Sequence, residues 1–468
     1  MKLIGYLKCW MFAVVILLYS SCSTDYTNVI PGNSIALVSM DFCQLLEKGD
    51  QGDQKTYIRS LLGTDDWESC GVDFTQKAYI FEAADGATGM VAAVKSKDDL
   101  NSWMKILSQK GLCTPLVQRK GYDFCVLHDN FVMGFSDNAI LIMGPTVAAA
   151  QGELRRRMCR YLKADDKDLS STDLFQKLSS LEGPVNLVAR VDALPDKLAG
   201  LAALGVPDNA KKENTYISAT MAKQHECLII SSETFSFDAD TEKAIQSSQD
   251  SFKPVTDKYL KTVDGKSLFT FACNVKGENY VSMLHDNESF KVMLAGLNTL
   301  VDMDMMLKSV DGDFLLNIPS LSDSRMDIRM LADAKDAKWL ADVDYWKKSC
   351  PKGCTIKNGS QIATFRLTGK KWNTCFGVLS SEALPYKDKV HQTEGILFFS
   401  EPEASLSTLT RPATSGYDPS LLDQIKDSRI CAIINLQAHR DDNEMTSLAA
   451  SVLRPFFGNF RTIVYRSR

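Results

Sequence analysis

The residues that could carry chemistry are few, and their spacing does not suit it. The five histidines are His128, His225, His285, His391 and His439, and none stands at a metal-ligand spacing. His225-Glu226 runs into Cys227-Leu228-Ile229, so the two-histidine helix motif of zinc proteases lacks its second histidine, and the run itself reads as strand. Cys350 and Cys354 enclose Pro351-Lys352-Gly353. That gap fits neither the CxxC redox motif nor half of a four-ligand zinc site, which leaves a Pro-Gly turn holding a local disulfide or two free thiols. Gly265-Lys266-Ser267 imitates the end of a phosphate-binding loop, but Leu260 stands where the first glycine must be, so the cradle of backbone N–H groups is missing. No Gly-x-Ser-x-Gly elbow occurs. No metal and no cofactor are expected, and no catalytic residue is assigned.

The carboxylates and aromatics allow more. Asp302-Met303-Asp304 and Asp311-Gly312-Asp313 read as turn acids, because the spaced oxygen ligands of a calcium loop are absent. His439-Arg440-Asp441-Asp442-Asn443-Glu444 reads as the cap of an apolar helix over Leu448–Leu453. A glycan hydrolase needs two carboxylates about 5–10 Å apart, and the 58 acids of the chain leave such a pair open. Trp103, Trp339 and Trp346 fall on apolar helix faces and are assigned to cores, whereas Trp67 and Trp372 flank polar turns and are the candidates for an exposed aromatic platform. Arg155-Arg156-Arg157 with Arg160 reads as one exposed helix turn.

The elements that position these residues come in two series. A chain of 468 residues, 24% charged and 45% hydrophobic, is long enough for several cored domains. Asn33-Ser34-Ile35-Ala36-Leu37-Val38-Ser39-Met40-Asp41 and Lys266-Ser267-Leu268-Phe269-Thr270-Phe271-Ala272-Cys273-Asn274 each read as a short strand closed by a helix-capping residue. A strand from Asp73 to Phe81 and another over Gly89–Val94 match Asp313–Leu316 and Met326–Leu331. Helices opening at Lys97-Asp98 and Lys335-Asp336 follow. Two strands come next in each half, then an amphipathic helix and an apolar strand ending at Asp192 and at Leu436, then a last strand. Glu226–Ser231 adds a hairpin partner to the first half alone. The element order repeats after about 235 residues, far beyond any solenoid period. The expected fold is therefore α+β: two tandem, internally duplicated halves, each a largely antiparallel or mixed sheet with helices packed on one face. The halves are placed at 33–262 and 263–468, with Pro254 and Asp264-Gly265 near the join.

The amino terminus supplies the cellular reading. Lys2 and Lys8 precede an uncharged apolar run from Cys9 to Tyr19, and Ser20-Ser21-Cys22 follows. That run is too short for a membrane helix, which needs about 20 residues, and suits a signal peptide over 1–21. Small residues before Cys22 resemble the bacterial lipoprotein box, in which the cysteine becomes the lipidated first residue of a tether over 22–32. Cleavage there removes Lys2 and Lys8 and takes the formal net charge from −5 to −7. A weakly acidic chain has no basic field for phosphate backbones, so nucleic acid is excluded as a partner. Ser23-Thr24-Asp25 is similar to the tag that exports such lipoproteins to the cell surface, and both faces of the membrane stay open. Of 13 cysteines, removing Cys9 with the signal and Cys22 to the lipid leaves an odd number. Cys43, Cys125, Cys227, Cys273 and Cys431 stand inside apolar runs and are assigned as small buried hydrophobes.

Several of these stretches together resemble one family. They are the lipoprotein signal, the Pro31-Gly32-Asn33-Ser34-Ile35-Ala36-Leu37-Val38 opening, the Gly71-Val72-Asp73 lead into a strand, and the Val94-Lys95-Ser96-Lys97-Asp98 step from strand to helix. The family is that of Bacteroidetes cell-envelope lipoproteins catalogued as domain of unknown function 4836. The resemblance implies an α+β lipoprotein of the cell envelope, and it carries over no functional residues. The expected function is that of an outer-membrane lipoprotein, anchored through its lipid, that binds or scaffolds a protein or glycan partner. The alternatives are a glycan hydrolase built on a carboxylate pair and a solute-binding protein holding its ligand between the halves.

Overall fold

A computed structural model describes residues 25–48, 69–163, 169–194, 212–286, 288–298, 302–320, 329–335, 343–349, 355–358, 364–369, 372–380, 395–400, 411–436, 453–454 and 456–468. The chain divides into two units. One is Met1–Ala189 with Pro455–Gly458, and the other is Arg190–Arg454 with Asn459–Arg468.

The first unit contains strands β1 (Ser34–Met40), β2 (Ala78–Ala83), β3 (Thr88–Ala93), β4 (Val117–Arg119), β5 (Tyr122–Leu127), β6 (Phe131–Phe135), β7 (Ala139–Met143) and β8 (Val185–Arg190). Its helices are α1 (Phe42–Lys48), α2 (Lys97–Gln109), α3 (Gln151–Leu162) and α4 (Asp173–Ser179). The ladder runs β8-β1-β2-β3-β7-β6-β5-β4, antiparallel throughout. Helix α2 forms where Ser96 accepts a hydrogen bond from the Asp99 N–H and Asp98 and Asp99 occupy the positive first turn. Its spacing puts Leu100, Met104 and Leu107 on one buried face, with half-buried Trp103 beside them. That face packs on Cys125, Met133, Phe135 and Ile140 of the sheet. Gly71 holds the start of the helix. Its carbonyl accepts from the N–H groups of Lys95 and Ser96, its φ is +84°, and a Cβ there would collide with the Leu100 N and the Ser96 O. Strand β2 begins only at Ala78, because Asp73 folds Thr75 into a local turn by accepting from its N–H and hydroxyl.

The second unit contains strands β9 (Tyr216–Gln224), β10 (Cys227–Phe235), β11 (Phe252–Lys253), β12 (Phe269–Lys276), β13 (Val310–Ile318), β14 (Arg329–Ala334), β15 (Thr355–Asn358), β16 (Thr364–Gly369), β17 (Trp372–Ser380), β18 (Gly395–Ser400), β19 (Ile430–Asn435) and β20 (Thr462–Ser467). Its helices are α5 (Ala239–Gln249), α6 (Gly277–Asp286), α7 (Glu288–Asn298), α8 (Met303–Lys308), α9 (Val343–Ser349) and α10 (Pro419–Ile425). The ladder β19-β12-β13-β14-β18-β17-β16-β15 is antiparallel. Strand for strand, this is the pairing order of the first unit, with β12 in the place of β1 and β19 in the place of β8.

Beyond β19 the second sheet continues into β20, β10 and β9. The β9–β10 hairpin, placed in the first half on sequence, lies parallel to β20 in the second unit. Glu226 in its turn accepts from the N–H groups of Arg461 and Thr462 and so starts that parallel pairing. His225 occupies the turn at φ +54° and is exposed, so the strand reading of that position is corrected.

Helices on one face do not suffice in the second unit. Phe314, Met330, Ala332 and Ile430 face α6, α7 and α8. Leu315, Leu331, Cys431 and Ile433 face the opposite way, against α10, Tyr259, Leu260 and Val263. Successive strand residues are apolar here, so both faces need cover.

Candidate functional site

Of the residues singled out for chemistry, Cys22, Trp67, Cys350 and Cys354 lie outside the described residues, as do His391 and His439. Trp372 opens β17, where it pairs in register with Gly369. His128 is exposed in the β5–β6 turn at φ +45°. His285 does have a partner: its Nε2 lies 2.6 Å from the Asp304 Oδ2, and Asp304 also accepts from the Asn298 Nδ2 at 3.0 Å. Asp304 is thus a helix residue joining α6, α7 and α8, and Asp302 caps α8 by accepting from the Met305 N–H, so neither is a plain turn acid. Among the described residues no group of three or more His, Cys, Asp or Glu could hold a metal ion. Nor is any helix among them long and apolar enough to cross a membrane.

Among the described residues the structure brings Asp313, from the other acidic run, together with Asp333. Asp313 lies within β13, not in a turn, and is 6% exposed. A bulge between Val310 and Phe314, with Gly312 at φ +144°, turns it toward Asp333 of β14. Asp313 accepts from the Thr256 N–H at 3.2 Å on one oxygen and from the Thr256 hydroxyl on the other. Asp333 accepts from the Lys258 Nζ at 2.5 Å and the Tyr259 hydroxyl at 2.6 Å on Oδ1, and from the Asp313 N–H at 3.3 Å on Oδ2. Burial raises the Asp313 pKa, and the Thr256 hydrogen bonds act against that rise. Burial also pushes the Tyr259 phenol well above its ordinary value. All four carboxylate oxygens accept a bond from within the chain, and Thr256, Lys258 and Tyr259 belong to one segment. The arrangement clamps residues 256–259 onto the bulged stretch of β13 and β14, with every carboxylate oxygen of the pair already bonded within the chain.

A second constellation faces a pocket. In the β19–β20 ladder Ile430 stands opposite Ser467, which places Arg429 beside Arg468, with Arg466 two residues inward, opposite Cys431. These three arginines, with Asp423 and Gln424 in the last turn of α10, Asp427 just after it, and Phe252 and Pro254, line a half-open pocket of about 690 Å³. The Arg466 Nε donates to the Ser231 Oγ at 2.7 Å, and its Nη1 donates to the Gln424 carbonyl. The Arg429 Nη1 donates to the Gln249 Oε1 at 2.6 Å and to a main-chain oxygen of Arg468, the last residue of the sequence, at 3.0 Å. Among the described residues neither of the two aspartates on the lining forms an ion pair with any of the three. Burial, then the Arg468 guanidinium, lower the Arg466 pKa. Sequence reasoning missed this site. Its one local signal is the Arg466–Arg468 spacing of two along a strand, and Arg429 joins them only through strand pairing.

The cysteines divide by environment. Cys125, Cys273 and Cys431 are buried as expected, and burial pushes the thiols of Cys125 and Cys431 up to about 12. Cys227 is half-buried, and Cys43 is exposed on α1, contrary to its assignment to a core. The arginine run lies on the helix α3 as expected, but only Arg156 and Arg160 are exposed; Arg155 and Arg157 are half-buried, with Arg156 bonded to Glu153 and Arg157 lying 3.1 Å from Asp85.

The family described as domain of unknown function (DUF4836) matches residues 63–374. No curated protein and no solved structure matches the chain.

Proposed function

The chain belongs to the DUF4836 family, and from that premise we propose that it is a lipoprotein of the cell envelope, held to the outer membrane through Cys22, whose α+β body binds a ligand or partner. The observation that carries the binding reading is the contrast between the two constellations. The carboxylates of Asp313 and Asp333 are consumed by internal hydrogen bonds. The guanidiniums of Arg429, Arg466 and Arg468 face a pocket and keep N–H groups that make no bond among the described residues. The hydrolase reading needs a carboxylate pair open to a substrate and draws no support from the clamp. The anchor rests on Lys2, Lys8, the apolar run and the Ser20-Ser21-Cys22 step. The common pairing order of β1–β8 and β12–β19 supports an origin by duplication.

Fractionation tests the anchor. The native protein should sediment with the membranes, and a Cys22→Ala variant should shift to the soluble fraction or stay as uncleaved precursor. Native protein found soluble, or a variant that matures and sediments like the native protein, overturns the reading.

A further inference from the structure

We propose that the pocket lined by Arg429, Arg466 and Arg468 binds the carboxylate group of a small organic ligand. This rests on the binding reading above and names its ligand class. A guanidinium carries five N–H donors in a planar fork. Among the described residues, Arg429 spends only its Nη1 and Arg466 only its Nε and Nη1 on the protein. These bonds hold two of the forks in place, while the remaining N–H groups and the exposed Arg468 side chain stay available to a ligand. Fixed forks with open donors suit an oxyanion, and a flat carboxylate can take two parallel N–H bonds from one guanidinium.

Charge narrows the class. Three arginines share the lining with Asp423, Asp427 and a main-chain oxygen of Arg468 that already accepts from the Arg429 Nη1. A phosphate polymer would set several negative charges against the two aspartates, and its neutralisation needs more cations than the pocket holds. Size narrows it further. About 690 Å³ lies within the usual range for organic ligands, far beyond a bare ion, and Phe252 and Pro254 provide an apolar wall for the ligand body. Burial and then the Arg468 guanidinium lower the Arg466 pKa, and an anion entering the pocket offsets both.

Titration calorimetry on the full-length protein in detergent tests this with matched pairs: glucuronate against glucose, benzoate against benzamide, and inorganic phosphate alongside. At least one carboxylate should bind saturably, tenfold or more tighter than its neutral twin, and weaken as salt rises. Arg468→Gln should weaken that binding by about tenfold, the loss expected for one charged hydrogen-bonding group. Its side chain makes no bond among the described residues, so folding should be untouched, as an unchanged melting curve would verify. Arg429→Lys keeps the charge but loses the fork and should also weaken binding. If neither carboxylate binds, if neutral twins bind equally, if Arg468→Gln binds like the native protein, or if phosphate binds tighter than both carboxylates, the assignment is overturned. The fractionation result for Cys22 is independent of all these outcomes, so failure here and failure of the anchor are told apart.

Discussion

Replacing Asp333 by alanine should destabilise the second unit without touching ligand binding. Asp333 receives three donors: the Lys258 Nζ, the Tyr259 hydroxyl and the Asp313 N–H. The ion pair is the smallest of these. Its side chains are 49% and 28% exposed, so solvent screening holds it to about 1 kcal/mol or less. The other two donors sit on residues only 2% and 6% exposed, where water cannot replace the lost acceptor. Each orphaned donor costs about 1–3 kcal/mol, so the two together cost about 2–6 kcal/mol. Tyr259→Phe removes the hydroxyl together with its need for a partner and should cost about 1 kcal/mol. In the double variant the hydroxyl penalty vanishes, so the combined loss should fall short of the sum by about 1–2 kcal/mol. Urea denaturation followed by circular dichroism reads these differences as midpoint shifts at constant slope. A loss below about 0.5 kcal/mol for Asp333→Ala, or additive losses in the cycle, would refute the clamp as a structural device.

Three further outcomes follow from the same structure. Burial holds the folded Asp313 pKa above its ordinary 3.8. Its charged form therefore costs stability, and the native protein should gain on Asp313→Asn as pH falls through the raised folded value toward the ordinary carboxylate value. Paired urea titrations check this, and a relative loss on acidification contradicts it. Alkylation at pH 8 of the folded protein should modify exposed Cys43 while sparing Cys125 and Cys431, whose thiols stay protonated up to about 12. Peptide mapping reads the pattern, and equal modification of all three would break the burial argument. Gly71→Ala combines a φ of +84° with a collision against the start of α2, and should lower stability by about 2 kcal/mol or more. A melting temperature equal to the native value would contradict the packing described for that turn.

What could be read from the chain alone was local. Ser96, Asp98, Leu100 and Met104 encode α2 within a few residues, because capping and helical periodicity need no distant partner. The apolar runs at Ser34–Met40 and Phe269–Lys276 likewise announce β1 and β12. Features that depend on pairing stayed hidden. The β9–β10 hairpin is legible as a hairpin, yet its parallel seat beside β20 bridges more than 200 residues and leaves no local pattern. Asp311-Gly312-Asp313 looks like a turn because Gly and Asp favour turns, and a bulged strand uses the same residues for the same backbone freedom. The arginine pocket depends on the register that sets Ile430 against Ser467. A shift of one residue would turn the strand side chains to the other face.

The central claim, a body kept at the membrane by a lipid on one sulfur, is tested most directly by mass analysis of the amino-terminal peptide of the protein purified from its native envelope. The account predicts a peptide that begins at Cys22 and carries acyl chains. A peptide that retains Met1, or one with an unmodified Cys22 thiol, would contradict it.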